Sequence, residues 1–495
     1  MNLYNLIATL KENKVLLKTT ISDDLNIANI SYNSKTVGPE TLFICKGVKF
    51  KQEYLEDAIQ KGATCYLSAV KYDVECDAII VNDIRTALGI TVQSYYGNLD
   101  QQIKLVGITG TKGKTTTSMF LRSIMDDFLT SQQKKRCGVL CSVLTYDGVS
   151  EEPSRLTTKE PIELYEHLQH AVDEGLEYLS MEVSSQAIKY KRIYGLEYQV
   201  GCYLNIGEDH ISEHEHPNFE DYFTSKLQLF QSCKTMCVNL DGTHIERVLQ
   251  ACENVDKVIT FSTKDNKATI YADHIEKKDN QIAFTVHTET YEESFGITLP
   301  GLFNVENALA SIAICYALQV PTVHIRRGLL NAKVDGRMEI YGSKDGQVLS
   351  IVDYAHNKMS FESILQSVKK EYPTRKVYTV FGCPGDKALD RREELGTISG
   401  NFSDVIMLTE DDPGHEGAED ICKEIAQYIP ETKYKIILDR SKAIERAILE
   451  EDCEKIVLVL GKGAETNQKR GSQDTPMTPD SETVKDILKK YDNCH

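Results

Sequence analysis

The chain lacks any long apolar segment. No stretch reaches the roughly 18 consecutive apolar residues that a membrane-spanning helix requires. The apolar patch near the N-terminus is interrupted by Lys11, Glu12 and Lys14, so it is too short and too charged to be the core of a secretory signal. We therefore expect a cytoplasmic protein without membrane insertion.

The chain is also poor in positive charge. Its 495 residues include 56 Lys and Arg against 74 Asp and Glu, which gives a formal net charge of −18. A nucleic-acid partner requires a basic face, so we expect none. The length indicates about two to four domains.

Cysteines are present, but the spacing of a zinc site is absent. The closest pairs among the 14 cysteines are Cys137/Cys141 and Cys233/Cys237, and neither pair has a matching second pair. Without a secretory signal, the cysteines are expected to be reduced thiols, often buried as small apolar groups. No Pro-rich or Ser-rich linker, internal repeat or low-complexity tract divides the chain.

Three blocks of alternating strand and helix patterns follow one another. Residues 1–100 predict a small N-terminal α/β domain without a catalytic motif. Residues 101–333 predict parallel βαβ winding around a nucleotide-binding loop. Within this block, residues 268–299 predict appended antiparallel strands. Residues 334–495 predict a five-strand doubly wound, Rossmann-like sheet with a ligand crevice at the strand C-termini. The predicted fold class is therefore α/β with three domains.

Residues 105–117 form the most informative motif. A short apolar run leads into a glycine-rich turn that ends in Gly113-Lys114-Thr115, and a helical pattern follows. Backbone N–H groups of such a loop surround phosphate oxygens at a helix N-terminus. Lys114 is placed to reach terminal phosphates and the Thr115 hydroxyl to bind Mg²⁺, although the glycine spacing departs from the strict pattern. The predicted phosphate-binding residues are Gly110, Thr111, Lys112, Gly113, Lys114, Thr115 and Thr116.

Histidines and a lysine follow a later strand. We retain His210, in the pair Asp209-His210, as a site residue because it is nearest the strand end. His214 and His216 are interpreted as solvated loop residues. Lys226 lies in an apolar helical pattern, and by itself it is interpreted as a surface lysine whose stem packs on the protein.

Several charged residues that follow other strands or lie at a domain boundary are further candidates for binding. Glu182 follows an apolar strand, where an acidic residue can hold Mg²⁺ opposite the phosphate loop. Arg337 lies at the second domain boundary, where it could reach a phosphate or be an ordinary surface residue. Arg392 is by default one charge on a helix face. Three acidic residues of the third block could bind a cationic substrate or be solvated loop carboxylates: Asp411, Asp412 and Glu465.

Together these motifs resemble the Mur ligase family, the ATP-dependent amide ligases of peptidoglycan assembly. They are most similar to its UDP-N-acetylmuramoyl-tripeptide synthetases, which add the third residue of the stem peptide. Besides the phosphate loop, the resemblance rests on Asn33-Ser34-Lys35, Thr157-Thr158, Glu182-Val183-Ser184-Ser185, Asp209-His210, Phe303-Asn304-Val305-Glu306-Asn307, Asp353-Tyr354-Ala355-His356 and Asp411-Asp412-Pro413.

The resemblance implies a role for each matching position. ATP is expected to contact the phosphate loop with Asn304, Asn307, Arg337, Asp353 and His356. The UDP-N-acetylmuramoyl-dipeptide is expected to contact Ser34, Thr157, Thr158, Ser184 and Arg192. Mg²⁺ ions are expected at Thr115, Glu182, His210 and Lys226, with Lys226 carbamylated to N6-carboxylysine. The catalytic residues implied are Lys114, Lys226 and His210. The incoming amino acid is expected to meet Arg392, Asp411, Asp412, Pro413, Gly414, Gly461 and Glu465.

The resemblance also bears on which amino acid is added. Where diaminopimelate is the substrate, the family carries Asp-Asn-Pro-Arg, and the Arg grips the distal carboxylate. Here Gly414 takes the place of that Arg, so a bidentate contact is lost. We therefore expect the added amino acid to be a diamino acid whose side chain ends in an ammonium. L-Lysine is the favoured substrate and ornithine the second. Diaminopimelate stays an alternative, because His415 could partly replace the missing Arg.

The reaction implied passes through an acyl phosphate, with a cleft closing between the domains of a monomer. The alternatives are a folylpolyglutamate-synthase-like ligase, which lacks the N-terminal block, and a nucleotide-hydrolysing switch. The family's Asp-Ser-Arg and Ser-Ser-His are replaced here by Asn33-Ser34-Lys35 and Ser184-Ser185-Gln186, and Tyr190 stands where a Gln is expected.

Overall fold

A computed structural model of the chain describes residues 1–22, 25–47, 49–154, 156–209, 211, 215–278, 281–430, 433–451 and 453–494. The strands of these residues form three large sheets and a separate two-stranded hairpin. Helices cover the sheets, which confirms the predicted α/β class. In the described ranges, no helix is both long and apolar enough to cross a bilayer. The domain boundaries near residues 100 and 333 stay a prediction.

The first sheet has five strands within the described residues, in the order β1-β5-β4-β3-β2. In chain order its elements are α1 (Leu3–Glu12), β1 (Leu16–Thr19), β2 (Asn29–Ser31), β3 (Thr41–Ile44), α2 (Gln52–Gln60), β4 (Ala63–Ser68), β5 (Asp77–Val81) and α3 (Ile84–Tyr96). Strands β2 to β5 are parallel, and β1 pairs with β5 in the antiparallel sense. All four residues of β3 are buried, because helices cover the sheet.

The second sheet has eleven strands in the part of the chain that is described. In chain order its elements are β6 (Lys104–Thr109), α4 (Lys114–Ser131), β7 (Gly138–Leu140), β8 (Leu144–Tyr146), β9 (Glu151–Pro153), α5 (Pro161–Asp173), β10 (Tyr178–Glu182), α6 (Ser185–Lys189), β11 (Tyr198–Tyr203), α7 (Phe219–Leu227), β12 (Cys233–Asn239), α8 (Ile245–Gln250), β13 (Lys257–Ser262), β14 (Ile270–Lys278), β15 (Gln281–His287), β16 (Glu292–Ile297), α9 (Asn304–Ala317) and α10 (Thr322–Asn331).

Strand β6 lies in the middle of this sheet, parallel to β10 on one side and to β11 on the other. The chain therefore leaves β6 toward one side and later returns to the other, and the carboxyl ends of the three strands meet where the order reverses. Ligand crevices form at such points in open α/β sheets. At the far edge, β14, β15 and β16 form the predicted antiparallel extension.

The third sheet has six strands within the described residues, in the order β17-β18-β22-β19-β20-β21. In chain order its elements are β17 (Glu339–Gly342), β18 (Val348–Asp353), α11 (Lys358–Glu371), β19 (Lys376–Phe381), α12 (Asp390–Phe402), β20 (Val405–Leu408), α13 (Ala418–Ala426), β21 (Tyr434–Ile436), α14 (Arg440–Leu449), β22 (Lys455–Leu460) and α15 (Asp480–Cys494). The five predicted strands are confirmed. The predicted count is wrong by one, because β17 adds an antiparallel edge strand. The hairpin consists of β23 (Asn467–Arg470) and β24 (Gln473–Pro476).

Helix α10 packs closely on α4, the helix that follows the glycine-rich turn. A Cβ atom at Gly328 would stand 2.3 Å from the Cα atom of Ile124. We expect Gly328→Ala to lower the free energy of unfolding by about 3 kcal/mol, because two helix backbones must separate. Urea denaturation measures this change. Gly38→Ala is the matched control, since its Cβ meets no atom within 4 Å. A similar loss in both variants would contradict the packing argument.

Candidate active site

The turn after β6 is shaped for a close approach of another group. Gly113 has a φ of +86°, in the left-handed region that favours glycine. A Cβ atom there would lie 2.2 Å from Oδ1 of Asn307. The Lys114 ammonium donates to the carbonyl oxygens of Gly110 at 2.8 Å and Thr111 at 3.2 Å. The turn therefore wraps around its own lysine and brings the predicted Asn307 against it.

Two predicted metal ligands meet through a serine. The hydroxyl groups of Thr115 and Ser142 lie 2.8 Å apart, and the Ser142 N–H donates to Oε1 of Glu182 at 2.9 Å. Glu182 is 1% exposed at the end of β10. Hydroxyl and carboxylate oxygens are the ligands that Mg²⁺ prefers, so Thr115 and Glu182 fit that ion. Sequence reasoning missed Ser142, although it follows β7 beside β10.

Lys226 is buried, so its interpretation as a surface lysine is wrong. Its side chain is 2% exposed, and its ammonium donates to the carbonyl oxygen of Gly110 at 3.0 Å. Burial, with the nearby positive charges of Lys114 and Lys112, holds the pKa of Lys226 well below its ordinary value. Burial likewise lowers the pKa of Lys112 to about 8. The Lys226 amine therefore lies under the phosphate loop in surroundings that disfavour its charged form.

One carboxylate joins the second and third sheets. Asp209 accepts from Lys112 at 3.3 Å, from Asn357 at 2.5 Å and from Arg391 at 3.0 Å. Lys112 belongs to the phosphate loop, whereas Asn357 and Arg391 belong to the third block. The position of Asp209 after a strand predicted it as a site residue, but no local sequence pattern predicted Asn357 or Arg391 as its partners.

Of His210, His214 and His216, the structure describes only His216. His210 and His214 lie outside the described residues. His216 was interpreted as solvated, which is wrong because it is 0% exposed. Its Nδ1 lies 2.6 Å from Oδ2 of Asp221, and its Nε2 lies 2.9 Å from the Ser185 hydroxyl. These two contacts fix the ring between α6 and α7.

The predicted nucleotide residues of the third block lie at the end of β18. Asp353 is buried and accepts from the N–H groups of Met338 at 2.8 Å and Ala355 at 2.7 Å. Burial raises the pKa of Asp353, and the charge of Arg337 opposes that shift. The Arg337 guanidinium lies over the Tyr354 ring, 4.4 Å from its centroid.

Three further predicted nucleotide residues are held by short contacts. His356 places Nδ1 2.7 Å from the carbonyl oxygen of Tyr354, and burial holds the pKa of His356 well below its ordinary value. The amide of Asn304 donates to the carbonyl oxygen of Pro300 at 2.6 Å, and that of Asn307 donates to Asn304 at 2.9 Å. All three side chains are therefore fixed in one orientation.

The predicted residues for the large substrate belong to the first and second blocks. The Thr158 hydroxyl accepts from the N–H of Ser184 at 3.0 Å, and the Arg192 guanidinium donates to the carbonyl oxygen of Thr158 at 3.0 Å. Arg192 also pairs with Glu160 at 2.8 Å, and Glu160 pairs with Lys46 of the first block. Sequence reasoning missed Glu160 and Lys46.

The remaining residues of this group are less constrained. Thr157 is half-buried beside Thr158. Ser34 opens a short 3-10 turn in the first block, and its carbonyl oxygen accepts from the Lys61 ammonium at 3.0 Å.

The predicted acidic residues of the third block converge around a lysine. Lys462 lies 2.8 Å from Asp412 and also pairs with Glu465. Asp411 is buried, and burial raises its pKa to about 6. A Cβ atom at Gly461, where φ is +113°, would lie 2.4 Å from Oδ2 of Asp411, so only glycine fits there.

Arg392 and Gly414 belong to a connected loop cluster. Arg392 is buried and pairs with Glu416 at 2.8 Å and with Glu424. Glu416 accepts from the N–H of Asp386, whose carboxylate lies 2.9 Å from Nδ1 of His415. Gly414, with a φ of +60°, donates its N–H to the carbonyl oxygen of Lys469 at 3.1 Å. Pro413, which lies between Asp412 and Gly414, is buried.

Two protein-family models match the sequence over most of the second and third sheets. Residues 108–315 match the Mur ligase middle domain, and residues 336–463 match the Mur ligase, glutamate ligase domain. The UDP-N-acetylmuramoyl-L-alanyl-D-glutamate--L-lysine ligase of Streptococcus suis is 36% identical over 467 residues, which are 94% of each chain. The protein of the same name from Enterococcus faecalis is 35% identical over 485 residues, which are 95% of this chain and 94% of that one.

A solved structure shows the same fold. A UDP-N-acetylmuramoyl-L-alanyl-D-glutamate--2,6-diaminopimelate ligase superposes with a TM-score of 0.65 at 24% identity, covering 95% of this chain and 97% of that chain. The identities to the two relatives extend over nearly the whole chain, and both domain matches fall on the sheets that carry the phosphate loop and Asp353. The chain belongs to the Mur ligase family of ATP-dependent amide ligases.

Proposed function

We propose that this ligase adds L-lysine to UDP-N-acetylmuramoyl-L-alanyl-D-glutamate in peptidoglycan synthesis, using ATP and Mg²⁺. The observation that carries the proposal is the meeting of Thr115, Glu182 and the buried Lys226 around one phosphate loop. That arrangement provides oxygen ligands and a buried amine beside the place for terminal phosphates. The names of the relatives supply the two substrates.

The reaction makes a carboxylate reactive toward an amine. The substrate carboxylate attacks the γ-phosphorus of ATP, which gives an acyl phosphate and ADP. The amine of the amino acid then attacks the acyl carbon, and inorganic phosphate leaves as the amide forms. Lys114 neutralises the phosphate charge, and Thr115 with Glu182 would hold Mg²⁺, which would supply further positive charge.

The buried amine of Lys226 is proposed to become a carbamate. The unprotonated nitrogen attacks CO₂, a C–N bond forms and one N–H proton is released to water, so that an anionic carbamate replaces the amine. Burial supports this step, because it disfavours the ammonium and keeps the nitrogen lone pair available. The carbamate then offers oxygen ligands for a second Mg²⁺, with His210 as the other proposed ligand.

Besides the phosphate loop, ATP is proposed to contact residues of α9 in the second block and residues of the third block. Asn304, Asn307, Asp353 and His356 are held rigidly, and rigid contacts position phosphates at low entropic cost. Arg337 lies between the second and third sheets, where its charge faces Asp353. We assign the UDP-precursor to Ser34, Thr157, Thr158, Ser184 and Arg192.

The excess of carboxyl groups around Lys462 supports binding of an amino acid whose side chain ends in an ammonium. Asp411, Asp412 and Glu465 provide three carboxyl groups, and Lys462 offers one positive charge against them. Arg440 approaches Asp411, but its guanidinium is bound by Asp480 at 2.8 and 2.7 Å. An incoming ammonium would balance the remaining negative charge. Arg392 and the loop from Asp411 to Gly414 are proposed to position this amino acid.

We further propose that the chain acts as a cytoplasmic monomer with domain boundaries near residues 100 and 333. The 14 cysteines are all free thiols in the structure, and free thiols persist in reducing compartments. ATP is also a cytoplasmic metabolite.

The amino acid is tested by phosphate release in the presence of ATP and the UDP-linked dipeptide. L-Lysine, L-ornithine and meso-diaminopimelate are supplied in turn, and we expect kcat/KM for lysine to exceed that for diaminopimelate by about 100-fold or more, because no Arg stands at position 414. Ornithine, one methylene shorter, is expected to be about 10-fold poorer than lysine. Turnover of diaminopimelate alone would refute lysine specificity.

The same assay separates a ligase from a nucleotide switch. Reactions without amino acid are expected to release little phosphate, since the acyl phosphate then has no acceptor. Equal phosphate release with and without every amino acid would refute the ligase proposal.

A further inference from the structure

Two histidines of α5 converge on a buried carboxylate away from the phosphate loop. Asp147 lies in the turn between β8 and β9, and its carboxylate is 0% exposed. Its Oδ2 atom lies 2.7 Å from Nδ1 of His167 and 2.8 Å from Nδ1 of His170. The histidines are three positions apart, so they share one face of α5. In the described ranges, no other trio of His, Cys, Asp or Glu brings its ligand atoms within 4.8 Å of one another.

The carboxylate is fixed from its other side. Oδ1 of Asp147 accepts from the N–H groups of Val149 at 3.0 Å and Ser150 at 2.8 Å. Asp147 is therefore a rigidly held carboxylate whose second oxygen faces two imidazole rings.

A further carboxylate lies near the other nitrogen of His167. Oε1 of Glu163, one helical turn earlier, lies 4.0 Å from Nε2 of His167. The 2.7 Å contact to Asp147 requires a proton on Nδ1 of His167, which a metal ion at Nδ1 would displace, and Glu163 would then favour the proton on Nε2. Histidines that bind metals commonly carry such a partner on the outer nitrogen.

We propose that Asp147, His167 and His170 form a binding site for a transition metal ion, with Zn²⁺ as the ion that fits this ligand set. Two imidazole nitrogens and one carboxylate oxygen match zinc and not Mg²⁺, which prefers oxygen alone. Tetrahedral zinc with bonds of about 2.0–2.1 Å requires donor atoms about 3.3 Å apart. The present contacts of 2.7 and 2.8 Å must therefore open by only about half an ångström.

The fourth position is open to solvent. The His170 side chain is 46% exposed, against 12% for His167, so a water molecule has access from the His170 side. Bound zinc would join the β8–β9 turn to α5. The chain between these elements, residues 154–160, carries Thr158 and Glu160, so the ion would stiffen the loop that we assign to the large substrate.

Calorimetric titration of the full chain with ZnCl₂ tests the proposal. The protein is first treated with a chelator, and millimolar Mg²⁺ is kept present to occupy oxygen-only sites. We expect one tight equivalent in the native chain and an affinity at least about 100-fold lower for His170→Ala, because losing a direct ligand exceeds the loss of an outer partner. His170 is half-exposed, so the variant is expected to fold, and circular dichroism checks this.

Two further variants sharpen the result. Glu163→Gln keeps all three ligands and is expected to weaken zinc binding about 10-fold through His167 orientation. His324→Ala is the matched control, because Nδ1 of His324 faces Oδ2 of Asp127 at 2.6 Å without a second histidine. Its zinc affinity is expected to equal that of the native chain.

Cobalt distinguishes this site from the thiols. Co²⁺ bound by nitrogen and oxygen is expected to show visible bands without thiolate charge-transfer absorption, and His170→Ala is expected to lose those bands. Equal zinc affinity in the native chain and His170→Ala, or no tight equivalent in the native chain, would overturn the site. Unchanged affinity in Glu163→Gln would overturn the role of Glu163. The measurement uses neither ATP nor amino acid, so its outcome is independent of the proposed ligase activity.

Discussion

Replacing Lys226 with alanine is expected to reduce amide formation by roughly 10³-fold or more, because it removes the proposed carbamate and its metal ligands. Lys226 is almost fully buried and touches the carbonyl oxygen of Gly110. Alanine leaves the fold of the loop in place but offers no nitrogen for CO₂. Initial rates with saturating ATP, lysine and UDP-linked dipeptide measure the effect, and added bicarbonate is expected not to restore activity.

Lys455→Ala is the matched control for the loss of a buried lysine. Lys455 is 0% exposed, and its ammonium donates to the carbonyl oxygen of Glu451 at 2.9 Å in the third block. We expect this variant to lose stability while it keeps its turnover rate. Carbon-13 NMR of the native chain in labelled bicarbonate is expected to show a carbamate resonance that Lys226→Ala lacks. Full activity of Lys226→Ala would refute the carbamate.

Replacing Lys114 with alanine is expected to lower kcat by roughly 10³-fold, since one preorganised positive charge is lost where negative charge accumulates during phosphoryl transfer. Its ammonium is aimed by the carbonyl oxygens of Gly110 and Thr111, so it sits inside the turn before any ligand arrives. Binding of a fluorescent ATP analogue and the rate of acyl-phosphate formation separate affinity from chemistry.

Lys104→Ala tests whether any nearby lysine has the same effect. Lys104 begins the same strand, and its ammonium lies 3.1 Å from the Tyr178 hydroxyl, at the opposite end of β6 from the loop. We expect its kcat to stay within about twofold of the native value, because surface changes away from the site have small effects. Equal losses in both variants would show that Lys114 acts through general charge alone.

Strands with strong apolar patterns were predictable, and the others were not. Four of the five predicted strands of the third sheet, β18, β19, β20 and β22, are mostly buried and apolar because helices cover both faces. Strand β17 has the pattern of a half-exposed edge strand, and its four residues include Glu339 and Gly342. Hairpin β23–β24 begins Asn-Gln-Lys-Arg, which carries no apolar signal. Such elements are determined by tertiary contacts and not by their own composition.

The site was predictable where its residues follow strands. The approach of Thr115 to Glu182 follows from the parallel pairing of β6 and β10, because Thr115 lies just after the turn that ends β6 and Glu182 ends β10. The burial of Lys226 depends on how α7 meets the turn after β6, which no local pattern contains. The spacing of His167 and His170 on one helix was visible in the sequence, but their partner Asp147 is distant along the chain.

The shared carboxylate of Asp209 links two equilibria. Lys112 helps to hold Asp209, which also binds Asn357 and Arg391 of the third block, and the same lysine is proposed to contact nucleotide phosphates. Docking of the second block against the third is therefore thermodynamically coupled to nucleotide binding. If ATP raises the equilibrium constant for docking of the two blocks by some factor, docking raises the affinity for ATP by the same factor.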